Sequence, residues 1–129
     1  SLVLVVAQRL VRRLCPTCRT WRDPSVAEEA QLRDLGLELS QLPENKLAVS
    51  PGCDDCFNSG FQGRTAIYEL LIMTEEMRTL IMNRASASEI KIKAIEQGMR
   101  TLRMDGMAKV LSGTTSPEEV MRVTQLDSV

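Results

Sequence analysis

Residues 52–63 read Gly-Cys-Asp-Asp-Cys-Phe-Asn-Ser-Gly-Phe-Gln-Gly, and residues 15–18 read Cys-Pro-Thr-Cys. These two stretches contain all four cysteines of the 129-residue chain, as two Cys-x-x-Cys pairs separated by 34 residues. Two thiolates three residues apart bind one metal ion from a single tight turn, and a second such turn completes a tetrahedral shell. The pattern predicts a closed structural zinc site with four ligands: Cys15, Cys18, Cys53 and Cys56.

Three other interpretations of the cysteines stay open. A rubredoxin-like iron site uses similar spacing, and the sequence does not separate iron from zinc. Cys15-Pro16-Thr17-Cys18 also resembles a glutaredoxin redox motif, but Pro24 disfavours the helix that would activate such a thiol directly after the pair. Disulfides are disfavoured in the reducing cytoplasm, which we expect because the chain shows no secretory signal pattern.

The charge balance around the cysteines needs an account, because a zinc ion with four thiolates carries a net charge near −2. Asp54 and Asp55 lie inside the second pair and add to that charge. Four arginines flank the first pair, and they either offset the charge through hydrogen bonds to the site or lie on a solvated surface: Arg12, Arg13, Arg19 and Arg22.

The composition is that of a small globular protein, with 43% hydrophobic and 26% charged residues and a net charge of −1. The pI of about 5.5 and the presence of only four aromatic residues predict no nucleic acid partner. The longest apolar stretch, residues 2–7, is far shorter than the ~20 residues that cross a bilayer. It is typical of a strand from a larger sheet, so we expect a fragment of a longer protein.

Catalytic motifs are not found in the sequence. The chain has no histidine, which excludes Ser/His/Asp and Cys/His arrangements and any imidazole metal ligand. It also lacks the Gly-x-x-x-x-Gly-Lys-Ser/Thr pattern of a phosphate-binding loop. We therefore predict no catalytic residue and no cofactor-binding residue besides the cysteines.

The hydrophobic pattern predicts an α+β fold. Residues 2–14 and 64–73 are expected to form a short antiparallel strand pair, although a helix over residues 5–13 competes with the first strand. Between them, Asp23 and Pro24 are expected to begin a helix over residues 26–35 that ends at Gly36. Residues 38–50 look irregular, with an extended segment over residues 46–49.

From residue 74 onward the sequence predicts a cluster of about four short helices. Their expected starts are Thr74, the capping pattern of Ser86 and Glu89, Thr101, and the Ser116-Pro117 step. We divide the chain into strands 1–14 and 64–73, a metal-binding insert over residues 15–63, and a helical subdomain over residues 74–129. The metal would then hold both ends of the insert together.

Four segments resemble one known family, the secretion traffic ATPases of type II secretion and type IV pilus assembly. Residues 7–18 read Ala-Gln-Arg-Leu-Val-Arg-Arg-Leu-Cys-Pro-x-Cys, and residues 52–71 read Gly-Cys-x-x-Cys-x-x-Ser-Gly-Phe-x-Gly-Arg-Thr-x-Ile-Tyr-Glu-Leu-Leu. Residues 98–106 read Gly-Met-Arg-Thr-Leu-Arg-x-Asp-Gly, and the similarity continues through residues 109–124. The short insert between the cysteine pairs favours the type II secretion member, with the pilus motor or a stand-alone zinc-ribbon module as alternatives.

The resemblance implies that the chain is the C-terminal part of a RecA-like motor domain. The parent would be a homo-hexameric ATPase that uses ATP and Mg²⁺ to power type II secretion across the bacterial outer membrane. It would be cytoplasmic and held at the inner membrane by proteins of the secretion platform. The nucleotide-binding residues would lie upstream, so this segment alone is expected to be inactive. The cysteine tetrad is the one set of site residues that carries over.

Overall fold

The computed structural model describes residues 2–124 of the chain. Within that range it contains four strands, β1 Leu2–Leu14, β2 Thr20–Arg22, β3 Leu47–Val49 and β4 Phe61–Met73. The five helices are α1 Val26–Leu35, α2 Glu75–Met82, α3 Ala87–Glu96, α4 Leu102–Leu111 and α5 Pro117–Thr124. The predicted α+β class and the helical cluster after the second long strand are confirmed. No helix of this range is long and apolar enough to cross a lipid bilayer.

Strands β1 and β4 form a long antiparallel ribbon, with Leu2 opposite Met73 and Leu14 opposite Phe61. Register shifts between Val5 and Ala7 and between Arg12 and Leu14 bend the ribbon. The cysteine turns follow β1 and precede β4 directly, so the ribbon brings both turns to the same end of the molecule. The predicted strand pair is confirmed, and the competing helix over residues 5–13 is wrong.

The segment between the cysteine pairs is more ordered than the sequence predicts. Strand β2, which the sequence did not predict, pairs antiparallel with β3, with Trp21 opposite Ala48. Helix α1 has the predicted bounds, but its N-cap is Ser25 and not Asp23. The Ser25 hydroxyl accepts from the Glu28 amide at 3.2 Å, and the Glu28 carboxylate accepts from the Ser25 amide at 2.8 Å. This reciprocal capping box satisfies two free amides, which is why the helix begins there.

The main core joins the insert to the last two helices. It contains five buried leucines of the insert together with Val110 of α4 and Val120 of α5: Leu32, Leu35, Leu37, Leu42 and Leu47. A second cluster packs α4 on the ribbon through Val11, Ile67 and Leu102. The cysteine-bearing end is therefore anchored on α4 and α5 by apolar packing as well as by the strands.

Candidate metal centre

The four cysteines come together at the end of the β1–β4 ribbon. The Sγ atoms of Cys15 and Cys53 are 3.8 Å apart, those of Cys53 and Cys56 are 3.8 Å apart, and those of Cys18 and Cys56 are 4.0 Å apart. All four sulfurs lie within 4.8 Å of one another, and all four thiols are free. The structure thus places the two predicted pairs in one cluster.

This geometry fits a tetrahedral metal ion. Sulfurs bound at about 2.3 Å to a tetrahedral zinc ion are about 3.8 Å apart, which matches the closest pairs in the cluster. Cys15 and Cys56 are buried, whereas Cys18 and Cys53 are partly exposed. Four sulfur donors with no open position are typical of structural rather than catalytic metal sites.

Backbone amides prepare one sulfur to carry negative charge. The amides of Cys53 and Gly60 donate to the Cys56 Sγ at 3.2 and 3.3 Å. Burial acts to raise the pKa of the Cys56 thiol, but these two amides, together with hydrogen bonds from the Cys53 and Cys15 thiols, outweigh it and lower that pKa to about 6. The Cys18 amide likewise lowers the pKa of the Cys15 thiol. Both sulfurs are therefore predisposed to bind as thiolates.

Cys53 differs from its neighbours, because burial raises the pKa of its thiol to about 12. A divalent cation bound at the centre favours the ionised form of every ligand and displaces the thiol proton. Binding at this cluster is therefore accompanied by proton release. The arrangement can hold a metal ion, and an ion bound by all four sulfurs would have no tetrahedral position left for a substrate or a reactive water.

Gly60 lets the second turn approach the first. Its backbone φ is +81°, and a Cβ there would lie 2.4 Å from the carbonyl oxygen of Ser50. The Gly60 carbonyl accepts from the Cys15 amide at 3.0 Å, and the Ser50 hydroxyl donates to the Cys15 carbonyl at 3.2 Å. The sequence predicted turn chemistry here but not these contacts. The Ser-Gly step after the second pair is the feature of the sequence that could have indicated this close approach of the two turns.

The flanking arginines bind groups other than the thiols. Arg12 Nε donates to Glu119, Arg19 donates to the Gly113 carbonyl, and Arg22 pairs with Glu28. The hypothesis that these three offset the cluster's charge by hydrogen bonds to sulfur is therefore not supported by their contacts. The N–H groups that donate to sulfur are instead the backbone amides of Cys53 and Gly60.

The fold and the site define an α+β module in which two turns assemble a cluster of four thiols suited to a metal ion. Residues 1–122 match the family model described as "Type II/IV secretion system protein". The chain belongs to this family, and the resemblance seen in its motifs is confirmed.

The chain is similar to relatives named for type II secretion and to relatives named for type IV pilus assembly. It is 43% identical over 125 residues to "Type II secretion system protein E" of Pseudomonas aeruginosa, covering 97% of the chain and 24% of that protein. It is 40% identical over 127 residues to "Type IV pilus assembly ATPase PilB" of Myxococcus xanthus, covering 98% of the chain and 22% of that protein. A Thermus thermophilus protein with the same name, "Type IV pilus assembly ATPase PilB", is 42% identical over 124 residues, which cover 96% of the chain and 14% of that protein. The chain thus spans about a quarter or less of these relatives.

Proposed function

We propose that the chain is the C-terminal region of a type II secretion ATPase and that its four cysteines bind one structural zinc ion. The observation that carries the proposal is the cluster of sulfurs, spaced for a tetrahedral ion, in a chain that belongs to the secretion family. In this proposal β1 and β4 belong to the end of the RecA-like core, and residues 15–63 form the zinc-binding insert. Residues 74–129 form the helical subdomain, of which residues 125–129 lie outside the described part of the chain.

The zinc-bound insert serves assembly and not chemistry. It fixes the ends of two long strands at one point and is itself packed on α4 and α5. A rigid element of this kind suits contacts with neighbouring subunits of a homo-hexamer and with platform proteins at the inner membrane. ATP and Mg²⁺ are bound elsewhere in the cytoplasmic parent ATPase.

The choice of type II secretion over pilus assembly rests on the 34 residues between the cysteine pairs, a shorter insert than we expect of a pilus motor. Identities of 43% and 40% to the two kinds of relative support both names. Deletion and complementation in the source organism separate the two. Loss of protein secretion with intact pili supports the proposal, and loss of pili with intact secretion contradicts it.

The zinc site is tested in the complete reading frame with Cys53→Ser, using Asp54→Asn as the matched control. Asp54 lies in the same turn, is exposed, and supplies no sulfur. We expect one zinc ion per chain by elemental analysis in the wild type and the control. Cys53→Ser should lose the zinc, and both its hexamer content in the ultracentrifuge and its ATPase rate should fall. Iron in place of zinc, or full assembly without the metal, contradicts the proposal.

A further inference from the structure

Three arginines from three different elements line one surface pocket beside Leu10, and no cysteine is among its lining residues. Arg12 and Arg64 are direct partners on β1 and β4, and Arg122 lies on α5. Directly opposite residues in an antiparallel pair have Cβ atoms about 5 Å apart, and like charges there repel each other. Bringing three guanidinium groups together is electrostatically unfavourable unless negative charge nearby offsets the repulsion.

One buried carboxylate holds two of the three arginines in place. Glu119 is 1% exposed, and its oxygens accept from Arg12 Nε at 2.7 Å and from Arg122 Nε at 2.6 Å. It also accepts from the Arg12 backbone amide at 3.0 Å, which fixes α5 on the edge of β1. The Arg12 guanidinium stacks on the ring of Phe61, with 4.1 Å to the centroid. These contacts restrict both side chains while leaving each about half exposed.

The third arginine is not neutralised. The Arg64 side chain is exposed, and it forms no ion pair or hydrogen bond within the described part of the chain. Glu119 balances one of the three positive charges, so an excess of two remains around the pocket. Guanidinium N–H groups not used by Glu119 stay available, and their planar arrangement matches the oxygens of a phosphate group.

We propose that the pocket formed by Leu10, Arg12, Arg64 and Arg122 binds a phosphate-type oxyanion, with Glu119 positioning two of the arginines. A dianion neutralises the excess charge and accepts hydrogen bonds from several guanidinium groups at once. It also relieves the repulsion between Arg12 and Arg64. The source of the phosphate is either a free phosphate ion or the phosphate chain of a nucleotide. The inference stands on this pocket alone and does not depend on the zinc site.

The test is a titration of the zinc-loaded chain with inorganic phosphate and, separately, with ATP, at constant ionic strength set with sodium chloride. Binding is followed by calorimetry and by the melting temperature. Arg64→Gln removes one guanidinium without touching Glu119. Arg78→Gln is the matched control, because Arg78 is an exposed arginine on α2, outside the pocket.

We expect saturable binding to the wild type and to Arg78→Gln, and about tenfold weaker binding to Arg64→Gln, the effect of losing one charge-assisted hydrogen bond. Tighter binding of ATP than of phosphate assigns the site to nucleotide phosphates, and the reverse order assigns it to free phosphate. No saturable binding of either probe, or equal weakening in the two variants, overturns the proposal and indicates only nonspecific attraction of anions.

Discussion

At the scale of single residues, two glycines after the second cysteine pair allow the cost of backbone strain to be measured apart from the cost of steric overlap. Gly60 and Gly63 both have positive φ, +81° and +74°. A Cβ on Gly60 would lie 2.4 Å from the Ser50 carbonyl oxygen, whereas a Cβ on Gly63 would meet nothing within 4 Å. A left-handed conformation costs an alanine about 1 kcal/mol or somewhat more, and overpacking adds about 1–3 kcal/mol.

Gly60→Ala is therefore expected to destabilise the chain by about 3 kcal/mol, and Gly63→Ala by about 1 kcal/mol. Because Gly60 also donates to the Cys56 sulfur, its substitution should weaken zinc binding while Gly63→Ala leaves it unchanged. Urea unfolding measures the stability, and competition with a chromogenic chelator measures the zinc affinity. Equal losses in the two variants would contradict this account of Gly60.

Glu119 makes the stability of the chain depend on pH. Burial acts to raise the pKa of this carboxyl, but its hydrogen bonds with Arg122 and Arg12 outweigh that effect and lower the pKa to about 2. A carboxyl whose pKa is lower in the folded than in the unfolded chain stabilises the fold above its unfolded value of 4.5. That contribution is lost as the pH falls from about 4.5 to about 2.

Glu119→Gln should consequently cost about 2 kcal/mol at pH 7, a moderate value because both arginines are half exposed and solvent screens the pair. The difference between the wild type and the variant should shrink as the pH falls below about 4.5 and approach zero near pH 2, where the folded wild-type carboxyl is protonated as well. Urea unfolding of both proteins at each pH measures it, and acid release of zinc affects both alike. A difference that does not vary with pH would refute the assignment.

Glu119 also shows where prediction from the sequence ends. Its place three residues after Ser116 predicts a capping box, and the Glu119 amide does donate to the Ser116 hydroxyl at 3.2 Å. The carboxylate, however, binds Arg12, which is 107 residues earlier in the chain. Local spacing reveals caps and metal pairs, because their partners are close in sequence. A contact between distant elements depends on how α5 packs on β1, which no local pattern encodes.

At the scale of elements, the cysteine turns and helix α1 belong to the same insert but are held by different forces. The turns at residues 15–18 and 53–56 are short and bury little apolar surface besides the thiols. Helix α1 instead contributes Leu32 and Leu35 to a core shared with Val110 and Val120. Boundary signals, Pro24 before the helix and Gly36 after it, predicted α1. The pairing of the three-residue strands β2 and β3 was not predicted, because segments so short have no clear periodicity.

Removal of the proposed zinc ion should therefore reduce the order of the cysteine turns and leave helix α1 folded. Structural zinc in small sites supplies ~10 kcal/mol of apparent binding free energy. After chelation, we expect amide protection to fall over residues 15–19 and 50–60, while residues 26–35 stay protected by the shared core. Hydrogen exchange followed by mass spectrometry measures both segments in one experiment.

The matched control is Leu32→Ala, which removes a buried side chain that is 1% exposed. It should destabilise α1, α4 and α5 together by about 2–5 kcal/mol and leave the zinc content at one ion per chain. If chelation exposed α1 as much as the turns, the metal and not the apolar core would hold the insert to the rest of the molecule.

At the scale of the whole molecule, the two edges of the β1–β4 ribbon differ. On the outer edge of β4, the backbone groups of Leu70 are satisfied by two hydrogen bonds with the backbone of Arg100, at 2.8 and 3.1 Å. The edge of β1 is closed near its end, where Glu119 accepts from the Arg12 amide and Thr115 donates to the Arg12 carbonyl. Earlier in β1, no second strand of the described part pairs with it.

Three exposed valines lie along that earlier part of β1: Val3, Val5 and Val6. An open strand edge with apolar side chains is a template for pairing with another strand. We expect the isolated chain to self-associate through this edge as its concentration rises. In a longer protein the same edge is the natural place for a further strand of a sheet.

Val5→Lys tests this arrangement, because a charge on an open edge disfavours strand pairing. The variant should stay monomeric in sedimentation velocity runs at concentrations where the wild type associates. Val26→Lys is the control, since Val26 is a more exposed valine, 84% against 61% for Val5, but lies on the first turn of α1. If apolar exposure alone drove association, Val26→Lys would reduce it at least as much. If the strand edge drives it, only Val5→Lys is effective, and the same effect in both variants would show that the open edge is not what joins the chains.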